Sequence, residues 1–299
     1  MRRSGWTTAV AAVTVALLAV ATPAAHAGPE PAPAAAHEPV PDAARPAAGP
    51  AGYCDGDGPV PLVVEGDLIV TGTCYLGTTT VLGDLVVEAG ADARISPSRV
   101  RGDVRVGPGG TAWLYATTVG GGVHLDRARE LGVSGTVARS IRGKADSVDV
   151  ADAVVRGAIN LAAPERVRYP GFRLFRSEVG GWVNVYGGQV EIGESVLRRG
   201  LTLSWVRGAG VCEGRVAADV TIRHARGPVE VGGVPMEDHC ALHPPRESPV
   251  FESDLLVLDN TGDVTLRQVV VGGDLDCRGN TGRLLPGVLQ AGERRGQCA

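Results

Sequence analysis

Apolar residues recur at every second position in short runs, and the runs themselves repeat about every eighteen residues along the chain. A spacing of two is the period of a β-strand and not that of a helix. Each copy centres on a Gly-Asp-apolar step, most clearly in EGDLIV (65–70), LGDLVV (82–87), RGDVRV (101–106) and GGDLDC (272–277). The pattern therefore predicts one repeated β-strand in each copy.

The first position of this step anchors eleven copies, and it is usually a glycine. The anchors are Gly66, Gly83, Gly102, Gly121, Arg139, Gly157, Gly181, Arg199, Ala218, Ser253 and Gly273. Positions two before, two after and four after the anchor are apolar in 32 of 33 cases, and only Gly143 interrupts them. We expect these side chains to point inward, among them Val100, Val119, Val137 and Val179.

A second short strand is predicted nine and seven residues before each anchor, as at Cys74 and Leu76. The copy before Arg139 fits this pattern poorly, because Glu130 and Gly132 occupy the two places. A unit with two such short strands cannot close a core alone, so each copy must stack on its neighbours.

The sequence thus predicts an all-β fold, a parallel β-solenoid of about eleven rungs of 17–20 residues, in which a right-handed β-helix is favoured. At about 4.8 Å per rung, the rod would be roughly 50 Å long. A left-handed helix built on hexapeptides is the alternative. Its six-residue step is not sustained, because it reaches Asp149 and Glu191.

The two ends of the chain differ from this repeat. Residues 1–27 are predicted to be a signal peptide, because Arg2 and Arg3 precede an apolar stretch and Ala25-His26-Ala27 forms a cleavage site. Residues 28–52 are mostly Pro, Ala and Gly, which predicts a disordered linker. Residues 53–299 are expected to form a single solenoid domain with an inserted loop at 224–250. We therefore expect a secreted protein, extracellular or wall-associated, whose mature form has no membrane span.

All six cysteines lie after the predicted signal peptide. An even number of cysteines in an exported chain predicts disulfides, although the sequence does not choose among the fifteen pairings. Pairing nearest neighbours gives Cys54–Cys74, Cys212–Cys240 and Cys277–Cys298. These bonds would cap both ends of the solenoid and clamp the long insertion.

Charge and composition exclude some classes of function. Acidic residues exceed basic ones by 33 − 29 = 4, so no basic field is available to bind nucleic acid. Aromatic residues make up only 4% of the chain. A groove-type polysaccharide enzyme normally lines several subsites with aromatic side chains, so this scarcity argues against catalysis.

The Gly-Asp-apolar ladder over residues 62–277 resembles that of bactofilins, the polymer-forming bacterial β-helix proteins. That resemblance implies a β-helix and end-to-end polymerisation. Bactofilins act inside the cell and carry no disulfides, so the signal peptide and six cysteines depart from their pattern. The ending GGDLDCRGN…GQCA (272–299) is similar to the C-terminal cap of uncharacterised secreted proteins from GC-rich Gram-positive bacteria, which implies export and a β-solenoid.

Aspartates follow the anchor in many copies, namely Asp67, Asp84, Asp103, Asp219, Asp254 and Asp274. Paired carboxylates on a β-helix can serve acid–base catalysis or bind Ca²⁺. A residue repeated in register is more simply a turn residue that accepts hydrogen bonds from local backbone N–H groups. We predict the structural role, with a cation shared by the first three aspartates as the alternative.

Outward positions on the first strand form a polar column made of Arg105, His124, Arg142, Asn160, Asn184, Thr202 and Thr221. Trp182 and Tyr186 share the face of Asn184, and exposed Trp and Tyr rings stack on sugars. We therefore expect a ligand-binding face at Trp182, Asn184, Tyr186 and His124. Trp113 and Tyr115 are predicted to point outward on the other strand.

Residues 237–243 concentrate metal-ligand types within the long loop. No predicted helix would place His239 and His243 on one face, and Cys240 is expected in a disulfide. The sequence therefore predicts no metal site, no cofactor and no catalytic set.

These features favour a non-enzymatic secreted structural or interaction protein that binds wall or matrix polysaccharide, or another cell-surface component. One alternative is a pectate-lyase-like or glycosidase-like enzyme with carboxylates from neighbouring rungs. The other is a polymer-forming, bactofilin-like scaffold. Because the predicted disulfides near both ends would act as caps, we expect a monomer.

Overall fold

The computed structural model describes residues 49–56, 62–163, 171–232 and 248–299. Within these ranges the chain consists of strands and turns, with no helix. The predicted signal peptide, most of the predicted linker, and residues 237–243 lie outside them. The strand that begins at Gly49 and ends at Cys54 includes the last residues of that predicted linker.

Each turn of the chain, here called a coil, contributes up to three strands, and every strand pairing is parallel. Sheet 1 contains β1 (Gly49–Cys54), β3 (Gly66–Val70), β6 (Leu85–Val87), β9 (Val104–Val106), β16 (Ile159–Ala162), β19 (Val183–Tyr186), β22 (Leu201–Ser204), β25 (Val220–Arg223), β28 (Leu255–Leu258), β30 (Leu275–Arg278) and β32 (Arg294–Gly296).

Sheet 2 follows sheet 1 along each coil. It contains β4 (Thr73–Leu76), β7 (Asp92–Ile95), β10 (Thr111–Tyr115), β17 (Gly171–Phe175), β20 (Gln189–Gly193), β23 (Gly208–Val211), β26 (Val229–Val231) and β31 (Leu284–Gln290). Strands β12 (Val123–Ser134) and β14 (Ile141–Ala151) run from sheet 1 into sheet 2 without a break. Strand β26 lies within the 224–250 stretch expected as an inserted loop, of which residues 233–247 are outside the described part.

Sheet 3 is made of very short strands that precede sheet 1 in each coil. They are β2 (Val63–Val64), β5 (Thr80–Val81), β8 (Arg99–Val100), β11 (Thr118–Val119), β13 (Val137–Ala138), β15 (Val154–Val155), β18 (Glu178–Val179), β21 (Ser195–Leu197), β24 (Gly214–Val216) and β27 (Val250–Phe251), and β29 (Val264–Val271) runs into this sheet from sheet 2. The three sheets enclose one core over about 11 turns. The predicted parallel β-solenoid is confirmed, and its right-handed winding stays a prediction.

The inward columns follow the predicted spacing. The position two after the anchor is at most 1% exposed in all eleven coils, from Leu68 to Leu275. Val100, Val119 and Val179 are buried as predicted. Burial of one such aliphatic side chain contributes about 1.5–3 kcal/mol, so the stacked columns are the main stabilising element of the rod.

The coil anchored at Arg139 departs from the predicted register. Val137 is only partly buried, and Ala138 takes the inward place. In sheet 2 the inward pair of this coil is Leu131 and Val133, not Glu130 and Gly132. The reason is a shorter corner: three residues separate Val119 from Val123, whereas two separate Ala138 from Ile141. Positions counted from the anchor are correct only if every corner has the same number of residues, and this corner is one residue shorter.

Gly143, the interruption in the apolar columns, is required by the backbone. Its φ is +123°, a left-handed conformation that side chains disfavour. A Cβ atom at this position would also overlap the carbonyl oxygen of Leu125 in the preceding coil.

The repeated aspartates have the predicted structural role, but their donors are not in the local turn. Asp67 Oδ1 accepts a hydrogen bond from the N–H of Asp84 (2.7 Å), and Asp84 Oδ1 accepts one from the N–H of Asp103 (2.9 Å). The same contact joins Asp254 to the N–H of Asp274 (2.8 Å) near the other end of the solenoid. Each carboxylate therefore joins its own coil to the next, which corrects the expectation of a local bond.

Candidate functional site

A groove of about 990 Å³ runs along the outer face of sheet 1. Its lining residues come from eight successive coils, from Val86 on β6 to Arg223 on β25. At about 4.8 Å per coil, seven spacings make the groove about 34 Å long. The groove therefore follows the axis of the solenoid and has the form of a channel for an elongated ligand.

The alternation of side chains along each strand of sheet 1 decides which residues line the groove. Because the apolar residues of sheet 1 point into the core, the residues between them point outward. Six of the seven residues of the predicted polar column line the groove, namely Arg105, His124, Arg142, Asn160, Asn184 and Thr202. Thr221 is not among the lining residues.

A chain of charged contacts crosses the coils at the N-terminal half of the groove. Arg105 Nη2 lies 3.1 Å from Asp84 Oδ2 and 3.4 Å from Asp103 Oδ2. His124 Nδ1 accepts a hydrogen bond from Arg142 Nε (2.7 Å), so the imidazole proton is assigned to Nε2, which lies 3.4 Å from Asp103 Oδ2. This network holds His124 and the Nε edge of Arg142 in place.

Apart from Arg223 at its end, the C-terminal half of the groove is neutral and aromatic. Asn184 Nδ2 donates a hydrogen bond to Asn160 Oδ1 (2.7 Å) across two coils, and the Tyr186 ring is 54% exposed. Trp205 is 39% exposed, and its ring stacks on that of His224 with 4.6 Å between centroids. These groups offer amides for hydroxyls and ring faces for sugars.

Trp205 was missed by the sequence reasoning. It follows the last residue of β22 and has a φ of +58°. At such a corner the two-residue alternation no longer predicts which way a side chain points. Its position in the sequence, directly after Ser204 and next to the predicted ligand-binding face, could have indicated that it lies at the groove.

Trp182 is not among the groove-lining residues, unlike Asn184, Tyr186 and His124. The three residues 182, 184 and 186 share a face of the chain, but the Trp182 indole lies over Gly200 in the next coil, where a Cβ atom would overlap its ring. Trp113 covers Gly132 in the same way on sheet 2. An aromatic ring that covers a cross-strand glycine is a known stabilising pair, so Trp182 has a packing role.

Trp113 and Tyr115 point outward on sheet 2, as predicted. Their rings are stacked in parallel, with 6.1 Å between centroids and 4° between planes. Tyr115 is 43% exposed. This pair lies on a different sheet from the groove and provides a matched surface for comparison.

Two of the predicted disulfides are confirmed. Cys54 is bonded to Cys74, and Cys277 is bonded to Cys298. Cys212 is also disulfide-bonded, whereas Cys240, its predicted partner, lies outside the described residues. Disulfides of this kind indicate an oxidising environment.

The described part of the chain has neither a metal-binding cluster nor a membrane-spanning helix. There, no group of three or more His, Cys, Asp or Glu side chains is arranged to hold a metal ion. Nor do the described residues form a helix with the length and apolar character needed to cross a membrane. The Glu237–His243 cluster lies outside these residues.

Known proteins do not identify this chain. No family model, curated protein or solved structure matches it. The β-helix implied by the resemblance to bactofilins agrees with the observed solenoid, and membership of that family stays a prediction.

Proposed function

We propose that this protein is a secreted, non-enzymatic β-solenoid that binds an extended polysaccharide of the cell wall or matrix along the groove of sheet 1. The observation that carries the proposal is the axial groove itself, about 990 Å³ in volume and lined from eight successive coils. Successive coils place outward side chains along the groove at intervals of about 4.8 Å, and such an array can bind a polymer built of repeating units.

The chemistry of the neutral half supports a sugar ligand. The amides of Asn160 and Asn184 bond to each other through one contact and retain a donor and an acceptor side for hydroxyl groups. Thr202 adds a hydroxyl beside them. Tyr186 supplies an exposed ring that can stack on a pyranose ring. The Trp205 ring is partly exposed, and it already contacts His224 and the guanidinium group of Arg226.

The carboxylates beside the groove floor support binding over cleavage. Asp84 Oδ1 and Asp103 Oδ1 each accept a backbone N–H bond from the next coil, and their Oδ2 atoms face Arg105. Both oxygens of each carboxylate are therefore in contact with groups of the protein itself. These residues therefore join the coils and orient Arg105.

Export is supported by two separate features. The disulfides at both ends of the solenoid form in oxidising compartments. The sequence of residues 1–27 has the order of a secretory signal peptide. The same end caps support a monomer, since they cover part of the terminal coils.

Binding to a panel of soluble polysaccharides, measured by isothermal titration calorimetry, tests the proposal. Tyr186→Ala is expected to weaken binding at least about tenfold, because a lost stacking contact on a sugar is of the order of a buried aromatic contact. Tyr115→Ala, at a tyrosine on sheet 2 that is 43% exposed, and Trp182→Ala should leave the affinity unchanged. Equal losses in Tyr186→Ala and Tyr115→Ala, or binding to none of the polymers, would contradict the proposal.

A further inference from the structure

The groove contains cationic groups that the protein itself does not neutralise. Among the described residues, Lys144 makes no hydrogen bond or ion pair, and Arg142 uses only Nε, which donates to His124. Arg223 likewise uses only Nε, which donates to Ser204 Oγ (3.0 Å). The terminal nitrogens of both guanidinium groups and the Lys144 ammonium therefore remain available to a ligand.

Other arginines on the same rod are paired with carboxylates. Arg105 is placed between Asp84 and Asp103. On the other surfaces Arg173 lies 3.1 Å from Glu191, and Arg198 lies 2.9 Å from Glu178. Other exposed arginines among the described residues, such as Arg139 and Arg156, also lack an ion pair, but the groove brings three such cations, Arg142, Lys144 and Arg223, to the lining of one channel.

We propose that the polysaccharide is acidic and that Arg142, Lys144 and Arg223 bind its carboxylate groups. This inference rests on the proposed function and names the ligand class for the same groove. A guanidinium fork matches a carboxylate with two parallel N–H donors, and the ammonium adds a compact positive charge.

The spacing of these cations favours a polymer over a small anion. Arg142 and Lys144 lie two residues apart on β14, about 7 Å along the strand. Arg223 lies four coils further along the groove, at a distance of about 19 Å. A chain with an acid group on successive sugars reaches both places, while its hydroxyls meet Asn160, Asn184 and Thr202 between them.

The charge of the groove is opposite to that of the whole chain. Arg105 is offset by Asp84 and Asp103, so the lining has the cations Arg142, Lys144 and Arg223 against Glu88 and Asp126, which gives 3 − 2 = +1. The complete chain has a net charge of −4. The attraction is therefore local, and a polyanion that does not fit the groove meets a repelling surface.

A matched pair of polymers tests the inference. Polygalacturonate and its methyl ester have the same backbone, and only the first carries carboxylates. We expect the acid to bind at least about tenfold more tightly than the ester, since a charge-assisted hydrogen bond contributes about that factor or more. The affinity for the acid should fall with added salt, while that for the ester should not. Alginate, a second polyuronate, should behave as the acid does.

The double variant Arg142→Gln/Lys144→Gln should lose most of the preference for the acid, because Arg223 alone remains to bind its carboxylates. The control Arg139→Gln/Arg156→Gln removes the same charge at exposed positions outside the groove, where neither arginine has an ion pair with a described residue, and it should keep the preference. Circular dichroism and the melting temperature check that both proteins fold.

The outcomes separate this inference from the proposed function. Equal binding of acid and ester by the unaltered protein would overturn the inference and leave polysaccharide binding intact. Loss of the preference in both double variants, or equally tight binding of dextran sulfate, would show a general charge effect and would also overturn it. Binding to no polysaccharide of any kind would overturn both.

Discussion

The coils at the two ends of the solenoid differ from those in the middle in the way neighbours are joined. In the end coils an aspartate follows the anchor, and its Oδ1 accepts a backbone N–H bond from the next coil. In the five middle coils, anchored from Arg139 to Ala218, the preceding coil has no aspartate at that place. There, cross-coil ion pairs such as Asp152–Arg176 and Glu178–Arg198 occur without that backbone bond, whereas in an end coil the ion pair Arg105–Asp84 occurs together with it.

This difference explains why glycine is the anchor in the end coils, with the exception of Ser253, whose hydroxyl group contacts Asp219 Oδ1 in the preceding coil. A Cβ atom at Gly102 would overlap Asp84 Oδ1, and one at Gly273 would overlap Asp254 Oδ1. Where no aspartate lies beneath the anchor, the residue varies: it is arginine or alanine at Arg139, Arg199 and Ala218, and glycine at Gly157 and Gly181. Glycine and aspartate in the repeated step therefore act together: the aspartate of one coil bonds to the next, and the glycine of that next coil leaves room for its carboxylate.

The same five middle coils carry every residue to which we assign ligand contacts. Their sheet 1 strands run from β14, with Arg142, to β25, with Arg223. The Gly-Asp step is therefore repeated in the end coils, where it joins neighbouring coils. It is not kept in the middle coils, whose outward side chains differ from coil to coil. The comparison predicts that substitutions in the two regions have different consequences.

The largest effect is expected at Gly143, in the floor of the groove in a middle coil. Gly143→Ala places a side chain at φ +123° against the carbonyl of Leu125, and it should lower the free energy of unfolding by about 3 kcal/mol. Thermal unfolding followed by circular dichroism measures it, with a fall of roughly 2–4 °C for each kcal/mol.

Gly77→Ala is the matched control, because the nearest atom to its added Cβ, the carbonyl oxygen of Ser96, lies at an ordinary 3.6 Å. Its melting temperature should change little. If Gly143→Ala were as stable as this control, the backbone would not need glycine in the groove floor, and the reason given for the broken column would be wrong.

A double-mutant cycle at Asp254 and Gly273 tests this pairing in an end coil. Gly273→Ala alone should cost about 2 kcal/mol through its clash with the carboxylate, and Asp254→Ala alone about 1–2 kcal/mol through the lost N–H acceptor. The double variant should be more stable than the sum of the two losses by about 1 kcal/mol, because the carboxylate that clashes is gone. Urea unfolding gives the three free energies.

The middle coils supply the contrast for that cycle. Ala218→Gly, at the same anchor position, should lower stability by about 0.5–1 kcal/mol, as a glycine without a structural need does. If Ala218→Gly were more stable than the unaltered protein, the proposed difference between end and middle coils would be wrong. The same holds if the losses of free energy at Asp254 and Gly273 were strictly additive.

Much of this architecture is predictable from sequence because a repeated pattern multiplies a weak signal. A single Val-x-Leu run is weak evidence for a strand, whereas eleven such runs at the same place in each repeat identify the inward columns of sheets 1 and 3. The failures fall where local geometry or a neighbouring coil decides. Val137 is misplaced by a shorter corner, and Trp182 turns along the axis over Gly200. The donors to the aspartates lie in the next coil, which turn rules for a single segment cannot reveal.

The smallest effect is expected at the ion pair that joins two middle coils, Asp152 and Arg176. Arg176 Nε donates to Asp152 Oδ1 (2.7 Å), and this hydrogen bond lowers the pKa of Asp152 below its ordinary value. Such a carboxylate contributes stability above its unfolded pKa of about 3.9, and the contribution is lost as the pH falls through the lower folded pKa. The pair is exposed, so solvent screens it strongly.

Melting temperatures of Asp152→Asn and of the unaltered protein should therefore differ slightly at pH 7 and converge in acid. Arg176→Gln should reproduce that pH dependence, because it removes the donor that lowers the pKa of Asp152. In the end coils, carboxylate–backbone bonds join neighbours without this arginine. A difference between Asp152→Asn and the unaltered protein that persisted unchanged into acid would show that packing, and not the ion pair, joins these two middle coils.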